Sequence, residues 1–117
     1  MTAASPERGE IWLVCFDPSV GDEIQKSRPA IIVSSPVLAK LRLRIVVPLT
    51  GLHQNSSKIP WHYHIKAGKT TGLDKDSVAD ALQIKSVSLD RFLKKIGRVS
   101  APDLEEIAAA IQMLVEG

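Results

Sequence analysis

The sequence predicts a small, curled, mostly antiparallel β-sheet with one helix packed on it. Three observations carry that prediction. Short apolar stretches rich in β-branched residues recur along the chain, each bounded by Gly, Pro, Asn, Asp or Ser. Strands do not alternate with long helical patterns, so a parallel sheet is not indicated. One stretch near the C-terminal end, "SAPDLEEIAAAIQMLVEG", carries a helical period. The 117 residues suit one domain over 1–117, with 1–7 as a flexible extension. A chain of that length can bury one core without disulfide or metal staples.

The elements follow in order. "GEIWLVCF", 9–16, is apolar and aromatic and reads as a strand. "DPSVGDE", 17–23, is a turn or loop marked by Pro18 and Gly21. "PAIIVSS", 29–35, reads as a buried strand, and Pro29 stands at its start, where a missing N–H is tolerated. "SSPVLAKLRL" fits a short helical turn followed by a strand. "LRLRIVVPLT", 41–50, begins with alternation and ends apolar, a strand entering the core. Pro48 then belongs at a bulge, an edge or the strand's end.

"GLHQNSSKIP", 51–60, is a polar loop. "WHYHIKA", 61–67, sets Trp61, Tyr63 and Ile65 against His62, His64 and Lys66, a half-exposed strand by period two. A second loop with two glycines spans 68–77, and "VADALQIKSVS", 78–88, reads as mostly strand. "LDRFLKKIGRVS" holds a short turn or helix and then a strand at "KIGRV". The last element is a helix. Ser100 with Asp103 three residues on looks like a capping box. Pro102 falls in the first turn, and Glu105 and Glu106 lie near the positive end of the dipole. Leu104, Ile107, Ala108, Ile111, Leu114 and Val115 recur on one face. The count is five or six strands and one amphipathic helix.

Composition excludes some classes. An apolar fraction of 44% is too high for a disordered chain. No apolar run approaches the roughly 20 residues needed to span a bilayer. "MTAASPERGE" has no apolar h-region, so neither a secretory signal nor a membrane is expected. Cys15 is the one cysteine, so no internal disulfide can form. Within "IWLVCF" it is expected as a buried small hydrophobe rather than a nucleophile. These features suit a reducing, cytoplasmic setting. The formal net charge is only +2, yet all but Arg8 of the 15 basic residues lie between 26 and 98. A basic face and ordinary solvated side chains both fit that distribution.

His62 and His64 form an H-x-H pair, with His53 in the preceding loop. Such a group could hold a metal or move protons. No carboxylate or cysteine at a telling spacing completes it, and surface histidines on the wet side of a strand are the plainer account. Phosphate-binding and nucleophile-elbow glycine motifs are absent. Arg28 precedes Pro29 and is therefore biased toward extended backbone at a strand edge. Its guanidinium could grip a phosphate bidentately, or simply pair with Glu23. Thr50 ends a strand beside Gly51 and either faces an open site or serves as a turn residue.

The ordered run of motifs decides how these two are read. "RGEIWLVCFDPSVGDEIQKSRPAIIVSS", "IVVPLTG" and "AGKTTGLDKDSVADALQIKSVSLDRFLKKIGRVSAPDLEEIAAAI" resemble successive signatures of the MazF/PemK toxin family, from about Arg8 to Leu114. The chain departs from the pattern at "ADALQIKS" and in the "HQNSSKIPWHYH" loop. The resemblance implies an SH3-like barrel, mainly β with a C-terminal helix, assembled as a homodimer. It implies a sequence-selective endoribonuclease that cleaves single-stranded RNA without metal or cofactor. A 2′,3′-cyclic phosphate and a 5′-OH end would result. By motif position, Arg28 and Thr50 match the family's catalytic residues. Glu23, Lys26 and Ser27 fall on the loop that covers the RNA, and Gln83 and Lys85 fall among substrate contacts. The resemblance further implies neutralisation by an antitoxin with an extended acidic tail. A non-enzymatic gyrase poison like CcdB, on the same barrel, and a plain nucleic-acid-binding barrel are the alternatives. A nuclease using His53, His62 or His64 is a third.

Overall fold

Strands that are buried on both faces lose their alternation, and the first three strands read that way because each feeds two cores. In the computed structural model, residues 5–52 and 54–116 are described. The strands are β1 (Glu10–Cys15), β2 (Ser27–Ile32), β3 (Leu43–Gly51), β4 (His62–Ile65), β5 (Ser77–Asp80), β6 (Lys85–Ser88) and β7 (Phe92–Arg98). The helix α1 covers Ala101–Glu116, and four short 3-10 turns join elements. The sheet order is β4-β5-β3-β2-β1-β7, with β6 also on β3, and every pair is antiparallel.

The first core cluster includes Ile11, Ile31, Val47, Leu49, Ile65 and Ala79, and Ile107 of α1 closes it. The second gathers Trp12, Val14, Phe16, Ala30, Ile32, Val46 and Val87, with Ile24 and Phe92 packed against it. Trp12 and Phe92 meet edge to face, their ring centroids 5.9 Å apart. Alternate residues of β1, β2 and β3 thus point to opposite cores. At Gly97 a Cβ would lie 2.3 Å from the Thr71 carbonyl oxygen, so the 68–73 loop can lie flat on β7 only because that side chain is missing.

Several sequence expectations change. The sheet has seven strands, not five or six. The 78–88 stretch is two strands, separated by a 3-10 turn at Ala81–Gln83. Both pair with β3: β6 with 43–46 and β5 with 49–51. Pro48 falls in the gap between those ladders, where no partner strand on that edge calls for its missing N–H. β7 starts at Phe92, earlier than the "KIGRV" segment suggests. Cys15 is half-buried rather than buried. Val115 is 77% exposed and lies off the apolar face of α1. Of residues 1–7, residues 1–4 lie outside the described residues, while Pro6 is buried and its carbonyl accepts Arg44 Nε at 2.9 Å.

The capping box is half made. Asp103 N donates to Ser100 Oγ at 3.2 Å, but the Asp103 carboxylate turns away to accept the Tyr63 hydroxyl at 2.6 Å. That bond ties the start of α1 to β4. It pushes the Tyr63 phenol up to about 12, helped by burial and by the charges of Asp103 and Glu106. The folded pKa is raised, so this stabilisation is complete below the ordinary value of 10.0 and is lost as pH rises through about 12. Thermal melts should therefore show Tyr63→Phe less stable than the native protein by a constant margin up to about pH 10. Above that pH the margin should shrink.

Candidate active site

The pairing of β2 with β3 runs Ala30↔Pro48, Ile31↔Val47, Ile32↔Val46. Opposed residues share a face, and Arg28 is opposite Val14 on β1, two residues before Ala30 of β2, so it lies on the side of the second core cluster. Thr50 follows Leu49, which faces the first cluster with Ala79, and so points to the same side as Arg28. Both functional candidates therefore lie at the polar end of the face that carries the second core cluster. The cluster beneath makes a rigid floor, and the ends of β2 and β3 project beyond it.

Arg28 is half-buried, and its Nε donates to the Gln25 carbonyl at 3.3 Å. No carboxylate lies within ion-pair distance of it among the described residues. The Glu23 alternative is thus answered: the Glu23 carboxylate accepts from Val20 N at 2.8 Å and caps its own turn. The rest of the Arg28 fork is free for a ligand. Thr50 is half-buried, and among the described residues no protein group takes its hydroxyl.

Loop 16–26 overlies this face. Ile24 packs on the second cluster, and the neck closes where Phe16 N donates to Lys26 O at 2.8 Å and Lys26 N donates to Asp17 Oδ1 at 2.9 Å. Lys26 has φ of 65°, a conformation that non-glycine residues seldom adopt. Ser27 starts β2 opposite Cys15. Lys85 is opposite Val46, on the same face but four residues along β3 from Thr50, about 13 Å at the usual rise. Gln83 faces the loop rather than open groove: Oε1 accepts from Ile24 N at 3.1 Å and Nε2 donates to Asp22 O at 3.0 Å. Arg91 was not anticipated. Its Nη1 donates to Cys15 O at 3.0 Å and Asp17 O at 2.6 Å, gripping the loop's first limb. Nothing in a lone arginine 76 residues away signals that contact.

The histidines do not converge. His64 Nε2 meets Asp76 Oδ2 at 2.8 Å at the surface, and the Asp76 carboxyl is held low by the Ala67 N–H and by His64. His62 is not on the wet side: its side chain is only 9% exposed, with Asp80 3.6 Å away. His53 lies outside the described residues. No group of three metal-ligating side chains occurs among the described residues. A cavity of about 590 Å³ is lined by Leu13, Pro29, Leu73, Lys75 and Lys94. Leu13 and Pro29 lie one residue out of phase with Val14 and Arg28, so this cavity opens on the other face of β1 and β2. No helix of the described residues is long and apolar enough to cross a membrane.

Comparison with known proteins gives a consistent picture. The family described as PemK-like, MazF-like toxin of type II toxin-antitoxin system matches residues 7–115. The chain is similar to Endoribonuclease MazF9 of Mycobacterium tuberculosis, 38% identical over 91% of this chain and 92% of the relative. It is also similar to Endoribonuclease MazF of Staphylococcus saprophyticus, 30% identical over 91% of this chain and 88% of the relative. Its fold is similar to the crystal structure of MazF from Deinococcus radiodurans. There the TM-score is 0.83 at 21% identity, covering 97% and 99% of the two chains.

Proposed function

Because the chain belongs to the PemK-like, MazF-like toxin family of type II toxin–antitoxin systems, we propose that it is an endoribonuclease that cuts single-stranded RNA with Arg28 and Thr50. The supporting observation is that strand alternation puts on one face an arginine free of any carboxylate partner and a threonine with an open hydroxyl, among the described residues. Both stand on a rigid floor beneath a loop. The relatives' endoribonuclease names favour this reading over a gyrase poison or a plain binding barrel.

RNA carries its own nucleophile. The 2′-OH attacks the adjacent phosphorus, the P–O5′ bond breaks, and a 2′,3′-cyclic phosphate and a 5′-OH result. The 2′-OH proton leaves to solvent, and the departing O5′ takes one up. The protein's task is alignment and stabilisation of charge on the phosphorane oxygens. Arg28 supplies a fixed fork of donors that neutralises charge instead of carrying protons. Thr50 donates one hydrogen bond to a phosphate oxygen. Lys26 and Lys85 add positive charge along the strand path, while Glu23 and Ser27 shape the covering loop. Lys85 stands at the outer part of the substrate groove, and Gln83, whose amide is held by the covering loop, borders it. The exposed side chains of Val37 (82%), Leu41 (52%) and Leu43 (47%) offer an apolar surface for a homodimer. A face that attracts phosphate also attracts carboxylates, which suits an antitoxin with an acidic tail. The reaction needs only cytoplasmic RNA.

The test is incubation with a long mixed-sequence RNA in EDTA. Discrete fragments with 5′-OH ends are expected, and intact RNA at high protein would overturn the reading. Thr50→Val should slow cleavage about 10²-fold through loss of one preorganised donor. His64→Gln should leave the rate unchanged, and the pH–rate profile should lack an inflection near about 6.5.

A further inference from the structure

Gln83 ends the 3-10 turn that separates β5 from β6. Its amide meets the covering loop with one acceptor and one donor, at Ile24 N and Asp22 O. These are the two bonds that a neighbouring strand would make. Besides the packing of Ile24 on the second cluster, the loop's other hydrogen bonds are internal or at its neck, among them Val20 N to the Glu23 carboxylate, Glu23 N to Val20 O, and Ser19 Oγ to Asp17 Oδ1. Among the described residues, Arg28 and Gln83 are the only side chains outside the loop that hydrogen-bond its backbone over 18–25. The next residue after the tethered Ile24 is Gln25, whose carbonyl takes Arg28 Nε at 3.3 Å. A continuous path therefore runs from Gln83 through the backbone of 22–25 to the guanidinium.

We infer that Gln83 is a positioning residue for the reaction: it latches loop 22–25 so that the Gln25 carbonyl aims Arg28, instead of serving only as an RNA contact. The inference rests on the endoribonuclease reading for the role of Arg28. The geometry explains why an amide is suited to the place. The loop offers one N–H and one C=O, and a primary amide answers both. A carboxylate would answer only the N–H, and an apolar side chain neither. Arg28 has a single protein hydrogen bond among the described residues, so that bond limits the directions its fork can take. Letting the carbonyl drift gives the side chain rotamers that miss the phosphate.

The test uses Gln83→Met, close in size and without hydrogen-bonding groups at its end, and Gln83→Glu, which keeps the acceptor. In the free native protein the Ile24 amide should be protected from hydrogen exchange. In Gln83→Met it should exchange about tenfold faster, with β1–β3 amides and Tm unchanged. Gln83→Glu should retain most of the Ile24 protection. In steady-state cleavage, Gln83→Met should lower kcat about tenfold with KM nearly constant, the signature of a misaligned catalytic group. Unchanged Ile24 exchange would overturn the inference. So would a raised KM at constant kcat, which marks a direct RNA contact alone. Exchange is read without substrate, so it judges the latch by itself. Failure of the native protein to cut RNA would count against the endoribonuclease reading and not against the latch.

Discussion

Arg28→Ala is expected to slow RNA cleavage by about 10²–10³-fold, the usual consequence of removing a preorganised charge from a phosphoryl transition state. The native structure should survive the change. The Arg28 side chain makes one 3.3 Å hydrogen bond to Gln25 O and no ion pair among the described residues. Its neighbours across the sheet, Val14 and the strand floor, are packed without it. Stability should therefore move by no more than about 0.5 kcal/mol, within the range of surface substitutions. Arg28→Lys should recover only part of the rate, because a point charge cannot present two parallel donors to one phosphate. Rates on a defined RNA, measured with Tm for each variant, check all three statements. Full activity in a folded Arg28→Ala protein would remove the basis for the proposed mechanism.

Arg44→Leu should have the opposite profile, a large loss of stability from a residue with no part in catalysis. Arg44 is 4% exposed and has no carboxylate partner among the described residues. Its guanidinium is caged by backbone carbonyls: Nε to Pro6 O at 2.9 Å, Nη1 to Leu41 O at 2.8 Å and Leu43 O at 2.9 Å, and weaker bonds to Leu38 and Ala39 at 3.4 and 3.3 Å. One side chain thus gathers the 36–43 loop and the N-terminal arm onto β3. Leucine would leave several carbonyls without donors, each an expensive loss when buried. The expected destabilisation is about 3 kcal/mol after partial rehydration. That should lower Tm by roughly 10 °C in a domain of this size. Arg44→Lys should rescue little, since three donors on one nitrogen cannot span carbonyls on both sides. Chemical denaturation of the three proteins measures this directly, and a Leu variant as stable as the native protein would contradict it.

The two predictions also mark where sequence reading stopped. An arginine followed by proline at a strand start was visible as a candidate, and so was the threonine beside Gly51. That they share a face was not, because it depends on how β2 and β3 pair with β1 and β5. Arg44 read as one more charge on an alternating strand. Its burial depends on loop carbonyls 1–38 residues distant in the chain, and no local pattern encodes such a cage. Gln83 was legible only as part of a motif, and its partners lie 59 and 61 residues away. His62 broke the period-two expectation: it is nearly buried, directly opposite Asp80 of β5, while His64 on the same strand stays exposed.

What the sequence determined by itself was local: where strands begin and end within a few residues, the capped amphipathic helix, the punctuating prolines and glycines, and the ordered motifs that mark the family. Backbone preference and side-chain periodicity act over a few residues, so they can be read directly. Tertiary structure alone decided which side of each strand meets which core, which charges are buried, and how a loop is held above the arginine. Those outcomes depend on pairing between distant segments, where burial and hydrogen-bond satisfaction are settled jointly and no single stretch contains the answer.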